Sequence, residues 1–145
     1  MFKKILVPVD GSETAWRALN NALEIGKKFE SEILVVNVIQ PYNNAALLAV
    51  PLDHATINQG NSELEKVGDK VSELAKEMVG SYPHKVEYDM EVGHPSERII
   101  ALSKKVEADA IVLGSRGLSG IAEFFLGSVS SKVSQYATVP VLIVK

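Results

Sequence analysis

The chain of 145 residues contains no cysteine and only three histidines. The missing thiols exclude disulfide frameworks, thiolate zinc sites, iron–sulfur clusters and cysteine nucleophiles together. His54, His84 and His94 stand far apart, with no HxxxH or HxH spacing, so structural or loop roles are expected for all three. An excess of positive charge is also lacking. Lys and Arg number 15 against 18 Asp and Glu, a net charge of −3, and the basic residues form no stripe, which argues against nucleic acid as a partner. No apolar run approaches the ~20 residues of a membrane span, so no membrane partner is expected. Met1-Phe2-Lys3-Lys4 has a basic character, but the apolar stretch behind it stops at Pro8-Val9-Asp10, too short for a secretory leader. The expected location is cytoplasmic. At this length one domain over 1–145 is the default, with a core large enough to need no staple.

What is present alternates. Residues 5–9 form an apolar, β-branched run ended by Asp10-Gly11-Ser12, the pattern of a strand buried on both faces. Ala15, Ala18, Leu19, Ala22 and Leu23 follow at helical spacing, with Ser12 or Thr14 as N-cap and Glu13 at the favourable end of the dipole. A second buried strand covers 33–38. Val86, Tyr88, Met90 and Val92 alternate with Glu87, Asp89 and Glu91, which predicts a strand with one wet face near a sheet edge. A long helix is predicted from about 61 to 79, a Pro95-Ser96 start opens another through Ile99, Ile100, Leu102 and Val106, and a fourth strand covers 109–113. A short helix through Val129, Val133 and Tyr136 leads to a last strand over 139–144. The order βαβαβαβαβ implies an α/β fold, a doubly wound open parallel sheet of five strands with helices on both faces. The irregular stretch 41–60, with Ala45-Ala46-Leu47-Leu48-Ala49-Val50-Pro51-Leu52 at its middle, reads as a short extra helix or a flap, or else as a lid or partner contact.

Ligands of open parallel sheets bind beyond the carboxyl ends of the strands, where the strand order reverses. Strand one ends in Pro8-Val9-Asp10-Gly11-Ser12 and strand four in Leu113-Gly114-Ser115-Arg116-Gly117. Pro8 has no N–H to give a central ladder, so the ladder is expected to break there and leave backbone groups for a ligand. Gly127-Ser128-Val129-Ser130-Ser131 opens the last helix, where N–H groups, dipole and hydroxyls converge, and Arg116 adds a fixed cation. That set suits a polyphosphate; the competing reading is glycines at turns and Ser128 as a helix cap. Asp10 is open to the same two readings, ligand-facing carboxylate or turn acid.

Other nucleotide machinery is missing. The sequence has no GxxxxGK[ST], no GxGxxG after strand one, no HxGH, no SGGxDS, no paired acids of a receiver domain and no flavodoxin-type Ser/Thr loop. The spacing that does occur, Gly114, two residues, Gly117, nine residues, Gly127-Ser128, resembles the G-x2-G-x9-G-[S/T] motif of the universal stress protein family. Lys4-Ile5-Leu6-Val7-Pro8-Val9-Asp10-Gly11-Ser12 resembles that family's opening, Gly93-His94-Pro95 its third-strand turn, and Val139-Pro140-Val141-Leu142-Ile143-Val144 its final strand. Only 41–60 falls outside the resemblance.

The resemblance implies strand order 3-2-1-4-5 in an adenine nucleotide alpha hydrolase-like fold, a homodimer, and ATP or a related adenine nucleotide between strands one and four. It implies that Pro8, Val9 and Asp10 line the adenine and ribose, that the Val38 backbone meets the adenine edge, that Leu113, Gly114, Arg116 and Gly117 hold ribose and phosphates, and that Gly127, Ser128, Val129 and Ser130 cradle the phosphate tail.

The dimer has an independent argument. A fifth strand at an edge would expose an uncharged apolar run with open backbone groups, and pairing with its own copy about a two-fold axis removes that hazard. For turnover, phosphoryl chemistry asks for a positioned water, a base and charge neutralisation by metal and Lys or Arg. Arg116 and Asp10 are available, but neither loop supplies a lysine. The expectation is a homodimeric nucleotide-dependent regulator of the stress response, acting on an unidentified protein, with no catalytic residue assigned. The alternatives are a slow ATP hydrolase or autophosphorylating phosphotransferase in which Asp10 holds Mg²⁺, and an interaction module that binds no nucleotide.

Overall fold

A computed structural model describes residues 1–41, 53–118 and 125–145. The elements run β1 (Lys4–Pro8), α1 (Glu13–Phe29), β2 (Glu32–Ile39), α2 (His54–Val79), β3 (Val86–Val92), α3 (Pro95–Lys105), β4 (Ala110–Gly114), α4 (Ser128–Tyr136) and β5 (Val141–Val144). The strands form one parallel sheet in the order β3-β2-β1-β4-β5. The expected order and the edge position of β3 are both found. Each successive strand steps outward from β1 to β3, then the chain crosses back to β4 on the other side of β1, so the switch point lies between β1 and β4.

Alternation of side chains across the strands divides the interior into two layers. On one face Ile5, Val7, Ile33, Val35 and Val112 pack under Ala15, Ala18, Leu19, Ala22 and Leu23 of α1 and Val71 and Ala75 of α2. On the other, Leu6, Leu34, Val36, Ile111 and Leu113 meet Ile99 and Leu102 of α3 and Val133 of α4. Burying a Leu side chain such as Leu19 contributes about 1.5–3 kcal/mol.

Local chemistry fixes the helix ends. Ser12 caps α1: it is extended, and its Oγ accepts the Ala15 N–H at 3.3 Å, so Ser12 and not Thr14 is the cap. Asp53 caps α2 through Oδ1, which accepts the Thr56 N–H at 2.7 Å. That cap starts α2 at His54, seven residues before the predicted start near 61. Asn58 and Gly60 have the character of a loop and the apolar stripe is clear only from Leu64, so the first two turns carry little periodic signal. Part of the irregular stretch 41–60 is therefore helix, while its apolar middle, 45–52, lies outside the described residues. The last strand begins at Val141 rather than 139, although the Pro140 carbonyl already accepts the Ile111 N–H at 3.0 Å.

Two helix glycines are explained by the layer beneath them. A Cβ on Gly26 of α1 would overlap the Tyr82 hydroxyl, which donates to the Ser31 carbonyl at 2.8 Å. Burial raises the Tyr82 pKa further above its ordinary value. A Cβ on Gly68 of α2 would fall 2.9 Å from Asn37 Oδ1, so α2 approaches β2 closely at that turn.

Candidate functional site

The break expected at Pro8 is one-sided. On the β2 side pairing continues through Pro8↔Val36, and the Val9 N–H donates to the Val36 carbonyl at 2.8 Å. On the β4 side only Ile5 and Leu6 are paired, with Ala110 and Ile111. Since N–H groups alternate in direction along a strand, the missing Pro8 donor belongs to the β4 side. β1 and β4 therefore part where the topology switches, and a cleft of about 310 Å³ opens between their carboxyl ends.

All twelve sequence-predicted residues line this one cleft: Pro8, Val9 and Asp10 from β1 and its turn, Val38 from β2, Leu113, Gly114, Arg116 and Gly117 from β4 and its loop, and Gly127, Ser128, Val129 and Ser130 from the start of α4. Five further lining residues were not predicted: Ala15, Val36, Pro95, Ile99 and Leu118. Two carried a usable signal. Val36 lies two residues from Val38 and so shares its face of β2, and Pro95 with Ile99 forms one i, i+4 ridge at the start of α3.

The polar side of the cleft is built from backbone. Gly127 caps α4 in an extended conformation and offers no side-chain acceptor, so among the described residues no cap side chain takes up the first-turn N–H groups of α4. Ser130 Oγ is engaged within the protein: it donates to the Ser115 carbonyl at 2.8 Å, and the Gly127 N–H donates to the same oxygen at 2.8 Å. Ser115 in turn donates its N–H to the Val144 carbonyl at 2.7 Å, so the start of α4 is tied to the ends of β4 and β5.

Asp10 lines the cleft and also has the geometry of a turn acid. Its Oδ1 accepts the Ser12 N–H at 2.9 Å, as a turn acid does, while Oδ2 faces Gly117. The Arg116 guanidinium has no ion pair or hydrogen bond to any of the described residues. None of Gly114, Gly117 and Gly127 has a positive φ, so what distinguishes them is what a Cβ would meet. A Cβ at Gly117 would sit 2.9 Å from Asp10 Oδ2, and one at Gly127 would press on the Ser115 carbonyl at 3.3 Å. Gly114 answers mainly to packing: its Cβ would meet Thr14 Oγ1 at 2.6 Å and the Ala15 nitrogen at 2.8 Å.

Among the described residues no three His, Asp or Glu side chains gather as a metal centre, and Asp10 is the only carboxylate lining the cleft. One carboxylate together with phosphate oxygens is a common way to hold Mg²⁺, so Asp10 fits a cation that arrives with a polyphosphate and not a resident one. Among the described residues no helix is long and apolar enough to cross a membrane.

The model of the universal stress protein family matches residues 1–145. Universal stress protein YxiE of Bacillus subtilis is 37% identical over 150 residues, with each chain covered in full. The solved structure of MJ0577 superimposes with a TM-score of 0.82 at 30% identity, covering 100% of this chain and 96% of that one; MJ0577 is a universal stress protein of Methanocaldococcus jannaschii. A universal stress protein solved in complex with cAMP gives a TM-score of 0.67 at 26% identity, covering 99% of this chain and 96% of its own.

Proposed function

Because the chain belongs to the universal stress protein family, we propose that it binds an adenine nucleotide, ATP foremost, in the cleft between β1 and β4 and acts as a nucleotide-dependent regulator in the stress response. The observation that carries this reading is the convergence of strand ends from β1, β2 and β4 with the uncapped start of α4 on one cleft. Val36, Val38, Pro95, Ile99 and Leu113 supply an apolar wall suited to a base. In the same cleft, the α4 N–H groups and Arg116 supply positive potential without a lysine, as an anionic tail requires. The relative solved with cAMP supports the adenine class.

In this reading Asp10 and the Val9 backbone meet the ribose side, and Asp10 is the residue placed to hold Mg²⁺ brought in with the phosphates. The chain works as a homodimer joined through β5, whose Leu142 is exposed and whose outer edge has no partner among the described residues. Its site of action is the cytoplasm.

Calorimetric titration with ATP tests the proposal. Saturable heat at one site per chain is expected, and no heat at millimolar ATP overturns it.

A further inference from the structure

One hydroxyl outside the cleft lining connects the two loops that form it. Thr14, in the first turn of α1 and 9% exposed, donates from Oγ1 to the Arg116 carbonyl at 2.6 Å. Ser12 Oγ also donates to that carbonyl, at a longer 3.4 Å, while accepting the Ala15 N–H as the cap of α1. Thr14 Oγ1 lies over Gly114, and it can do so only because residue 114 has no Cβ. The hydroxyl therefore sits between the last residue of β4 and the carbonyl of the cation two residues later.

From this contact we infer that Thr14 is a positioning residue for Arg116, holding the Gly114 to Gly117 turn so that the cation stays beside the phosphate region of the cleft. The inference rests on the nucleotide reading above and adds a residue that touches no ligand. Nothing else among the described residues restrains Arg116 from its side chain, since its guanidinium has no protein partner there. The hydrogen bond from the Thr14 hydroxyl to the Arg116 carbonyl is thus its shorter tether, beside the longer one from Ser12. A part-buried hydrogen bond of this length helps fix the turn, since without it the carbonyl keeps only the longer bond from Ser12 and must otherwise turn to water or move.

The consequence is selective. The apolar wall that would receive the base is built by β2, α3 and Leu113, away from Thr14, so loosening the turn should weaken the hold on phosphates and spare the hold on the nucleoside.

The test compares ATP and adenosine as ligands of the wild type, Thr14→Val and Thr14→Ser, by calorimetry. Val keeps the β-branched shape and removes the donor, while Ser keeps the donor. The wild type should prefer ATP to adenosine, Thr14→Val should reduce that preference about tenfold with adenosine affinity unchanged, and Thr14→Ser should restore it. An unchanged preference in Thr14→Val, an equal loss for both ligands, or a wild type that binds ATP no tighter than adenosine overturns the positioning role. A wild type that binds neither ligand overturns the nucleotide reading itself.

Discussion

Gly117 stands close against Asp10: a Cβ on Gly117 would lie 2.9 Å from Asp10 Oδ2, so that carboxylate would have to shift to admit a side chain. Gly117 is exposed, its φ is ordinary, and Asp10 is the one neighbour its Cβ would meet among the described residues. The constraint is therefore local to the cleft, where the β1 turn and the β4 loop come together, and has little bearing on the core.

Gly114 should behave differently. A Cβ there meets Thr14 and the Ala15 nitrogen in the first turn of α1, and backbone cannot swing aside as a flexible side chain can. Gly114→Ala is expected to lower stability by about 1–3 kcal/mol in urea unfolding. A midpoint equal to the wild type would show that α1 does not rest on β4 as described.

The motif spacing located both glycines, yet it could not tell their tasks apart, because a sequence records the absence of a side chain and not its cause. The fold was easier to read. Alternation in 86–92 pointed to an edge for β3, and the unbroken apolar run of β1 pointed to burial on both faces, since such burial leaves no room for polar residues, while the full strand order came with the resemblance. The start of α2 was hidden because Asp53 supplies a cap while Asn58 and Gly60 supply no apolar stripe. Ala15 showed only helical spacing, and its place in the cleft depends on how α1 meets β4, which no local pattern encodes.

Gly26→Ala reverses the usual rule for a helix interior. Replacing Gly by Ala in a helix ordinarily gains about 1 kcal/mol. Here the added methyl would overlap the Tyr82 hydroxyl, with Cζ at 3.1 Å behind it. A net loss of about 1–3 kcal/mol is expected by thermal or urea unfolding, partly recovered when Tyr82→Phe removes the hydroxyl. A stabilised Gly26→Ala would contradict the packing of Tyr82 on α1.

The edge of β5 offers an equally direct check on assembly. Leu142, 44% exposed, lies within an uncharged strand of four residues. Sedimentation of the wild type should give a dimer, and Leu142→Lys should give monomer because a charge would be buried without a partner. A dimer unchanged by Leu142→Lys would rule out this strand as the interface.

The central claim is that the β1 and β4 loops form one nucleotide cradle, and Gly117→Val tests it most directly. Calorimetry of ATP binding should show affinity at least about tenfold weaker than wild type, a loss of about 1.4 kcal/mol or more, while the circular dichroism spectrum and unfolding midpoint stay near wild type. Wild-type ATP affinity in Gly117→Val would contradict the cradle.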